Sequence, residues 1–440
     1  MMEISLLDIL NAREARVRQQ QSLLTKHQAP LLCFTMNIAG PVKTSPLIQR
    51  GFYAGLGLLD SKLPLENILF REVQMLPTGC EAVFAIDLPA KKIKDLCTAI
   101  EENHPLGRLF DMDVIGTDGI KLEREAQRGC IVCGAPGRFC AASRAHSVQQ
   151  LQAVTTELLT RYFYALDIAA AAVQSLIDEV HTTPKPGLVD RRNNGSHKDM
   201  TLGLFEASAQ ALQPYFEACV RIGQNTAQLC PEETFPLLRS AGVEAEATML
   251  QITDGVNTHK GAIYTLGLLC GSIGRLWSAE DPKADVDAIL AECKKMVGPF
   301  VQADLATATG KTAGERLYLQ HGIRGIRGEA ADGFPSAKNI GLPHFRQALA
   351  DGLSQNDAGV LTLLHLIAQV KDTNLYHRGG CDGARWAANA AKQLLSDHPS
   401  NALVAQLDDA FIERNLSPGG CADLLAATYF LHSLHTFGFY

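Results

Sequence analysis

Residues 149–180 read QQLQAVTTELLTRYFYALDIAAAAVQSLIDEV, and this stretch decides the fold. It is rich in Ala, Leu, Gln and Glu, and no Gly or Pro occurs between Arg138 and Thr183. One long helix, or two abutting ones, is predicted to carry the chain from one domain into the next. Upstream, residues 1–146 mix helix and strand signals. Ser5 with Asp8 reads as a capping box that opens a helix through about His27. Leu31 to Ile38 is an apolar run of strand length, and Glu72 to Pro77 and Glu81 to Leu88 bracket a Thr78-Gly79 hairpin turn. Pro89 suits a first helical position, ahead of Ile93, Leu96, Cys97 and Ile100 at helical spacing. Leu109 to Ile115, an Asp118-Gly119 turn and Ile120 to Arg124 read as a second hairpin. Downstream, strand grammar stops and helical segments alternate with Gly, Pro and Asn clusters. The expected architecture is an α+β domain over 1–155, a mixed sheet with helices, and a larger all-α domain over 156–440.

A length of 440 residues suits two or three domains at about 150 residues each. With 46% hydrophobic and 20% charged residues, disorder and collagen-like or mucin-like chains are excluded. The net charge of −7 lacks the basic footprint of a nucleic-acid or anionic-membrane binder. Met1-Met2-Glu3-Ile4-Ser5 lacks the basic region of a signal peptide. The most apolar stretches, Gly261 to Gly274 and Val360 to Val370, fall short of the roughly 18 residues a membrane span needs. The 12 cysteines are diluted over a long chain, which points to reduced thiols in a cytoplasmic protein.

The dense polar feature of the first domain is His104-Pro105-Leu106-Gly107-Arg108-Leu109-Phe110-Asp111-Met112-Asp113-Val114. Alternate side chains of a strand share a face, so Asp111 and Asp113 project together. Paired carboxylates hold Mg²⁺, and such ions activate a hydroxyl and steady a leaving diphosphate. A Gly followed shortly by Asp-x-Asp on a strand is how nucleotidyltransferases are built, although solvated strand faces carry the same pattern. Cys130, Cys133, Cys140 and His146 are the ligand types of a tetrahedral zinc site. Their spacings are not those of a standard finger, so packed free thiols are the other reading.

Four polar runs of the second domain sit at helix boundaries, where a core would reject them. The first, Thr183 to Met200, contains Lys185, Asp190, His197, Lys198 and Asp199, ahead of a helix from Thr201. The second is Thr253-Asp254-Gly255-Val256-Asn257-Thr258-His259-Lys260-Gly261. The third, Gly322 to Glu329, reads as a Gly-rich loop with Arg324 and Arg327 suited to phosphate. The fourth is Asp372 to Gly380, with Asn374, His377 and Arg378. Each alone is a capped loop; four together argue for one shared polyphosphate and metal site.

Pro184-Lys185-Pro186-Gly187-Leu188-Val189-Asp190, Gly255 to Gly261 and Asp372-Thr373-Asn374 resemble the triphosphoribosyl-dephospho-CoA synthase family over roughly residues 160–440. That family usually has Gly-Ala-His where this chain has Gly195-Ser196-His197. Residues 1–150 resemble apo-citrate lyase phosphoribosyl-dephospho-CoA transferase, on His104 to Val114, Arg128 to Cys133 and Arg144-Ala145-His146. The whole chain resembles the fused, bifunctional form.

The resemblance implies that the 2′-hydroxyl of 3′-dephospho-CoA attacks C1′ of the ribose of ATP and expels adenine. A serine of the citrate lyase acyl-carrier subunit then attacks the α-phosphate of the product and releases diphosphate. For the first step it implies metal or charge-stabilising roles for Asp199, Asp254 and Asp372, with Mg²⁺ on Asp199 and Asp254, and acid or base roles for His197 or His259. Lys185, Asp190, Asn257, Lys260, Arg324, Arg327 and Asn374 fall to nucleotide and phosphate binding. For the second it implies Mg²⁺ on Asp111 and Asp113, phosphate on Arg108, and a third carboxylate from Glu81, Glu123 or Glu125. Two alternatives stand beside this: an equivalent pair serving the malonate decarboxylase carrier, and a non-catalytic scaffold that binds the carrier.

Overall fold

The computed structural model describes residues 4–434 apart from 125, 281–284 and 398, and of Ala313 only the backbone. It divides into two compact units, Met1–Phe163 and Tyr164–Tyr440. The first contains α1 (Leu6–His27), β1 (Leu31–Met36), α2 (Pro46–Lys62), β2 (Ile68–Leu76), β3 (Gly79–Ile86), α3 (Ala90–Asn103), β4 (Phe110–Ile115) and α4 (Gly137–Ser143). The capping box at α1 forms in both directions: Ser5 Oγ accepts from Asp8 N–H, and Asp8 accepts from Ser5 N–H at 3.2 Å. The sheet order is β2-β3-β1-β4, every pairing antiparallel.

The strand register sorts the two faces. Leu32, Phe34, Phe84, Phe110 and Val114 share one, and Phe34 stacks on Phe52 of α2 at 4.7 Å. The other face carries Cys33, Val83, Asp111 and Asp113, with Leu23 of α1 packed against Cys33 and Val83. On β4 burial alternates strictly, so Asp111 and Asp113 stand together beside that smaller apolar patch. The second hairpin expected at Ile120–Arg124 reduces to an isolated Ile115–Lys121 bridge. Ile120 stays 65% exposed, so the segment has no apolar face to bury as a strand.

Helix α5 (Val148–His181) is a single element of 34 residues. The second unit continues with α6 (Leu202–Ala211), α7 (Gln213–Thr226), α8 (Pro231–Ile252), α9 (Lys260–Leu276), α10 (Val286–Ala306) and α11 (Ala313–His321). It then runs through α12 (Gly325–Ala331), α13 (Leu342–Ala350), α14 (Gln355–Gln369), α15 (Thr373–Ser396), α16 (Asn401–Glu413) and α17 (Gly419–Ser433). One apolar cluster joins them, with α9 near its centre. At the α7–α9 crossing a side chain on Gly223 would overlap the Gly271 carbonyl and one on Gly274 the Val220 carbonyl, so the two backbones touch only because Gly223 and Gly274 lack side chains. The segment Gly322–Glu329, expected as a loop, turns helical from Gly325, where Gly328, Ala330 and Ala331 are buried. No helix among the described residues is long and apolar enough to cross a membrane, and all cysteines are free thiols.

Candidate active sites

In the first unit, Asp111 and Asp113 open onto a pocket of about 960 Å³. Burial, then the nearby Asp113 charge, raises the pKa of Asp111, because two carboxylates on one face resist ionising together. Lys121 Nζ meets Asp113 at 2.5 Å. The remaining wall is cationic. Arg108 donates to the Gly129 carbonyl and Arg128 to the Gly107 carbonyl at 2.6 Å, which ties the turn before β4 to the loop 128–137. Glu101, with its side chain 2% exposed, anchors both strands of this tie: it receives Arg124 at 2.5 Å, Arg128 at 3.6 Å and the Met112 N–H at 2.8 Å.

Of the three third-carboxylate candidates, Glu123 lines this pocket and pairs with Arg138 at 3.3 Å. Glu81 stands on the same sheet face as Asp111 but pairs with Arg16 and lines a separate small pocket, and Glu125 lies outside the described residues. His104 is structural: Nδ1 accepts from the Leu106 N–H at 3.1 Å and Nε2 meets the Tyr162 hydroxyl at 3.1 Å. Cys130, Cys133, Cys140 and His146 gather at the same rim, their ligand atoms all within 4.8 Å of one another. Backbone N–H groups of Cys133 and Val132 lower the Cys130 pKa to about 7.

The second unit holds a cleft of about 820 Å³. Helices α9, α15 and α17 all begin on its wall, so three positive helix ends face one space. Lys185, His197, Asn257, His259, Lys260, Arg324, Asp372 and Asn374, all expected at the site, line it together. Asp190, Asp199, Asp254 and Arg327 do not. Asp190 holds the loop: it receives the Lys185, Arg192 and Asn193 N–H groups at 2.8, 2.7 and 3.1 Å. Asp199 and Asp254 are exposed, the latter in a left-handed turn at φ 52°. Arg327, on α12, points to Asp304 at 3.7 Å.

Hydrogen bonding limits what each lining residue does. Lys185 is 1% exposed, and its ammonium is consumed by Glu179, both by the side chain and by the carbonyl at 2.8 Å. Asp372 caps two helices at once: it receives Asn374 and Leu375 of α15 at 2.7 and 3.1 Å and Cys421 of α17 at 2.8 Å. His259 is 3% exposed, and burial followed by the Lys185 charge lowers its pKa to about 3. Thr258 donates to Ser208, and Ser208 in turn reaches His259 Nδ1 at 2.9 Å. That chain leaves the proton on Nε2, which has no partner among the described residues. His197 is likewise neutral at pH 7, its pKa lowered by burial and Arg378, between Arg378 at 3.3 Å and Ser417 at 2.9 Å.

Asp423 of α17 is the one lining carboxylate that makes no hydrogen bond among the described residues. A side chain on Gly261, in the first turn of α9, would overlap it, so the missing Cβ is what lets the carboxylate lie against that helix start. Burial, then Glu179 and Asp372, raise its pKa well above the usual range. Sequence reasoning missed Asp423, Glu179 and Glu101. Asp423 had a signal, a lone acid in the otherwise apolar run Cys421 to Leu431.

The ATP:dephospho-CoA triphosphoribosyl transferase family matches residues 165–438, and the apo-citrate lyase phosphoribosyl-dephospho-CoA transferase family matches residues 4–162. Protein CitXG of Haemophilus influenzae is 38% identical over 98% of this chain and 96% of its own length. The chain belongs to this two-part family. A Protein CitXG of Leuconostoc mesenteroides subsp. cremoris is 32% identical over 98% of this chain and 97% of its own. The 2-(5''-triphosphoribosyl)-3'-dephosphocoenzyme-A synthase of Pectobacterium atrosepticum is 42% identical over 65% of this chain and 94% of its own. The relative named as a synthase thus covers about two thirds of this chain, and the two named Protein CitXG cover nearly all of it.

Proposed function

We propose that the second unit's cleft makes the prosthetic-group precursor of citrate lyase and that the first unit's pocket attaches it to the acyl-carrier subunit. The chain is a bifunctional transferase of that family, with ATP and 3′-dephospho-CoA as substrates. The convergence of α9, α15 and α17 on a cleft holding an unpartnered acid carries the reading for the first reaction. The three helix starts, with Lys371 and Arg378 on the cleft wall, receive the triphosphate. His259 Nε2–H donates to a substrate oxygen. As the bond from C1′ to adenine breaks, Asp423 gives its proton to the leaving base. The carboxylate so formed steadies positive charge at C1′, then takes the proton of the 2′-hydroxyl whose oxygen has bonded there. Lys185, Asp190 and Asp372 build the walls around this chemistry.

In the first unit, Asp111 and Asp113 fit Mg²⁺, because a dication between them offsets both the burial and the mutual repulsion that raise the Asp111 pKa. Bound there, Mg²⁺ would supply activation of the carrier serine and charge relief on diphosphate. Arg108, Arg124 and Arg128 orient the phosphates, and Glu123 is the third carboxylate. Asp199 and Asp254 lie off the cleft, so Mg²⁺ is assigned only to the first unit. Zinc fits the Cys130, Cys133, Cys140 and His146 set. Both substrates and the free thiols suit the cytoplasm.

The test is incubation with ATP and dephospho-CoA, without carrier. Free adenine is expected, and none would sink the assignment of the cleft. Addition of the citrate lyase carrier should then raise its mass by the transferred group. Modification of a malonate decarboxylase carrier in its place would shift the partner.

A further inference from the structure

We infer that Cys130 Sγ, Cys133 Sγ, Cys140 Sγ and a ring nitrogen of His146 form a structural Zn²⁺ site that fixes the arginine wall of the first unit's pocket. The role in positioning rests on the transferase reading above; the metal site itself does not.

Tetrahedral zinc with Zn–S of about 2.3 Å and Zn–N of about 2.0 Å has ligand–ligand edges of about 3.5–3.8 Å. Here Cys133 Sγ lies 3.5 Å from Cys140 Sγ and 3.3 Å from His146 Nε2. All four ligand atoms lie within 4.8 Å of one another, so closing the tetrahedron moves each by about 1 Å or less. The turn from Cys130 through Gly134 is shaped as a metal knuckle. Gly134 N–H returns to the Cys130 carbonyl at 3.0 Å, with Gly134 at φ 74°, and Val132 N–H points at Cys130 Sγ at 3.4 Å. An N–H aimed at sulfur is the arrangement that favours a thiolate. Cys133 is exposed, Cys130 half-exposed and Cys140 buried, whereas Cys33, Cys97, Cys219, Cys270, Cys293 and Cys421 sit in the apolar interior with no second thiol and imidazole gathered beside them among the described residues. Four donor groups meeting at a rim, with little apolar surface to bury there, are poorly explained by packing.

The position gives the ion a task. The ligands come from three segments: the loop after Gly129, helix α4, and the turn after Arg144. Each segment also delivers pocket cations, Arg128 beside the loop, Arg138 on α4 and Arg144 after it. The loop is held otherwise by a few contacts, the Cys130 N–H to Ala135 and Gly137 N–H to Arg128 carbonyl bonds at 2.6 and 2.9 Å, and the Arg108 and Arg128 ties. An ion joining the three segments removes freedom from the arginines where phosphate must be received.

The experiment uses the full-length protein produced in zinc-supplemented medium, passed through gel filtration without chelator and assayed by plasma mass spectrometry. One bound zinc per chain is expected; less than about a tenth of an ion, or a Cys133–Cys140 disulfide in its place, overturns the site. Cobalt in place of zinc should give the visible bands of a tetrahedral thiolate complex. Cys133→Ser and His146→Ala should lose the metal. His146→Cys should keep it, because four thiolates also close a zinc site, and Cys230→Ser, at an exposed thiol elsewhere, should keep it too. Full zinc in Cys133→Ser overturns the ligand assignment. The His146 pair decides if that variant does not fold. Removing zinc from the wild-type protein should slow carrier modification roughly tenfold or more with adenine release unchanged. Unchanged carrier modification overturns the positioning role. Bound zinc with no carrier modification under any condition refutes the transferase reading and leaves the metal site intact.

Discussion

Replacing Asp423 with Asn tests the proton inventory of the synthase cleft. Asp423 makes no hydrogen bond among the described residues, so the amide strands no partner. The carboxyl's pKa is raised by burial first, then by Glu179 and Asp372. A carboxyl whose folded pKa exceeds its unfolded value, about 3.9, adds stability below that value and loses it as pH rises through the folded pKa. The neutral amide has no such loss, so Asp423→Asn should match or exceed the wild-type thermal midpoint at pH 7. The rate should move the other way. General acid catalysis contributes about 10²–10⁴-fold, equivalent to about 3–5 kcal/mol at the barrier, and that factor should disappear from adenine release. The wild-type rate should also fall as pH rises through the Asp423 pKa, and the variant should lack that limb. Adenine would be followed by chromatography from ATP and dephospho-CoA, beside a thermal melt. A rate within about threefold of wild type would refute the proton-donor role.

Asp111→Asn should abolish carrier modification, a loss on the order of a hundredfold or more, while adenine release continues; mass analysis of the carrier decides it. Glu101→Ala removes the acceptor of two guanidinium groups and the Met112 N–H and should destabilise the first unit by about 3–5 kcal/mol in urea unfolding. A cost below about 1 kcal/mol would mean that the buried ion pairs are dispensable. Asp254→Asn should keep near-normal adenine release, because Asp254 is exposed off the cleft and Asn tolerates the same left-handed turn. A hundredfold loss there would return the residue to the chemistry.

Periodicity made the elements legible. Capping box, Asp-x-Asp strand, first hairpin and the Gly-free helix all arise from local pattern, which sequence carries directly. The Ile120–Arg124 hairpin failed because alternation without a buried face does not form a strand, and Gly322–Glu329 looked like a loop because its glycines mark a helix-to-helix turn, Gly322 ending α11 at φ 65° and Gly325 opening α12 at φ 56°. Within the cleft, the polar runs brought eight of the expected residues to one wall, since each run contains or abuts a helix start. Spacing did not reveal which acids are already consumed. Asp190, expected to bind nucleotide, and Asp372, expected in the chemistry, spend their oxygens on backbone amides, whereas Asp423 looks incidental in sequence and makes no hydrogen bond among the described residues. Asp190 is consumed by amides within five residues, a turn geometry that spacing alone does not show, and Asp372 also by the distant Cys421 N–H, which no local window contains.

The two charged sites differ in how their cations are spent, and ionic strength should tell them apart. In the cleft, Lys185 is matched by Glu179, Arg324 by Asp332 and Lys260 by Glu246, and with Lys371 and Arg378 included the lining bases are balanced by as many acids, Glu179, Glu329, Asp332, Asp372 and Asp423. Around Asp111, basic side chains outnumber the acids Glu101, Asp111, Asp113 and Glu123, which leaves a net positive field reaching into solvent. Mobile ions screen such a field over about 8 Å at physiological salt, whereas matched pairs have little field to screen. Carrier attachment is therefore the salt-sensitive half of the chain, its capture of a polyanion slowing as salt rises while adenine release holds nearly level.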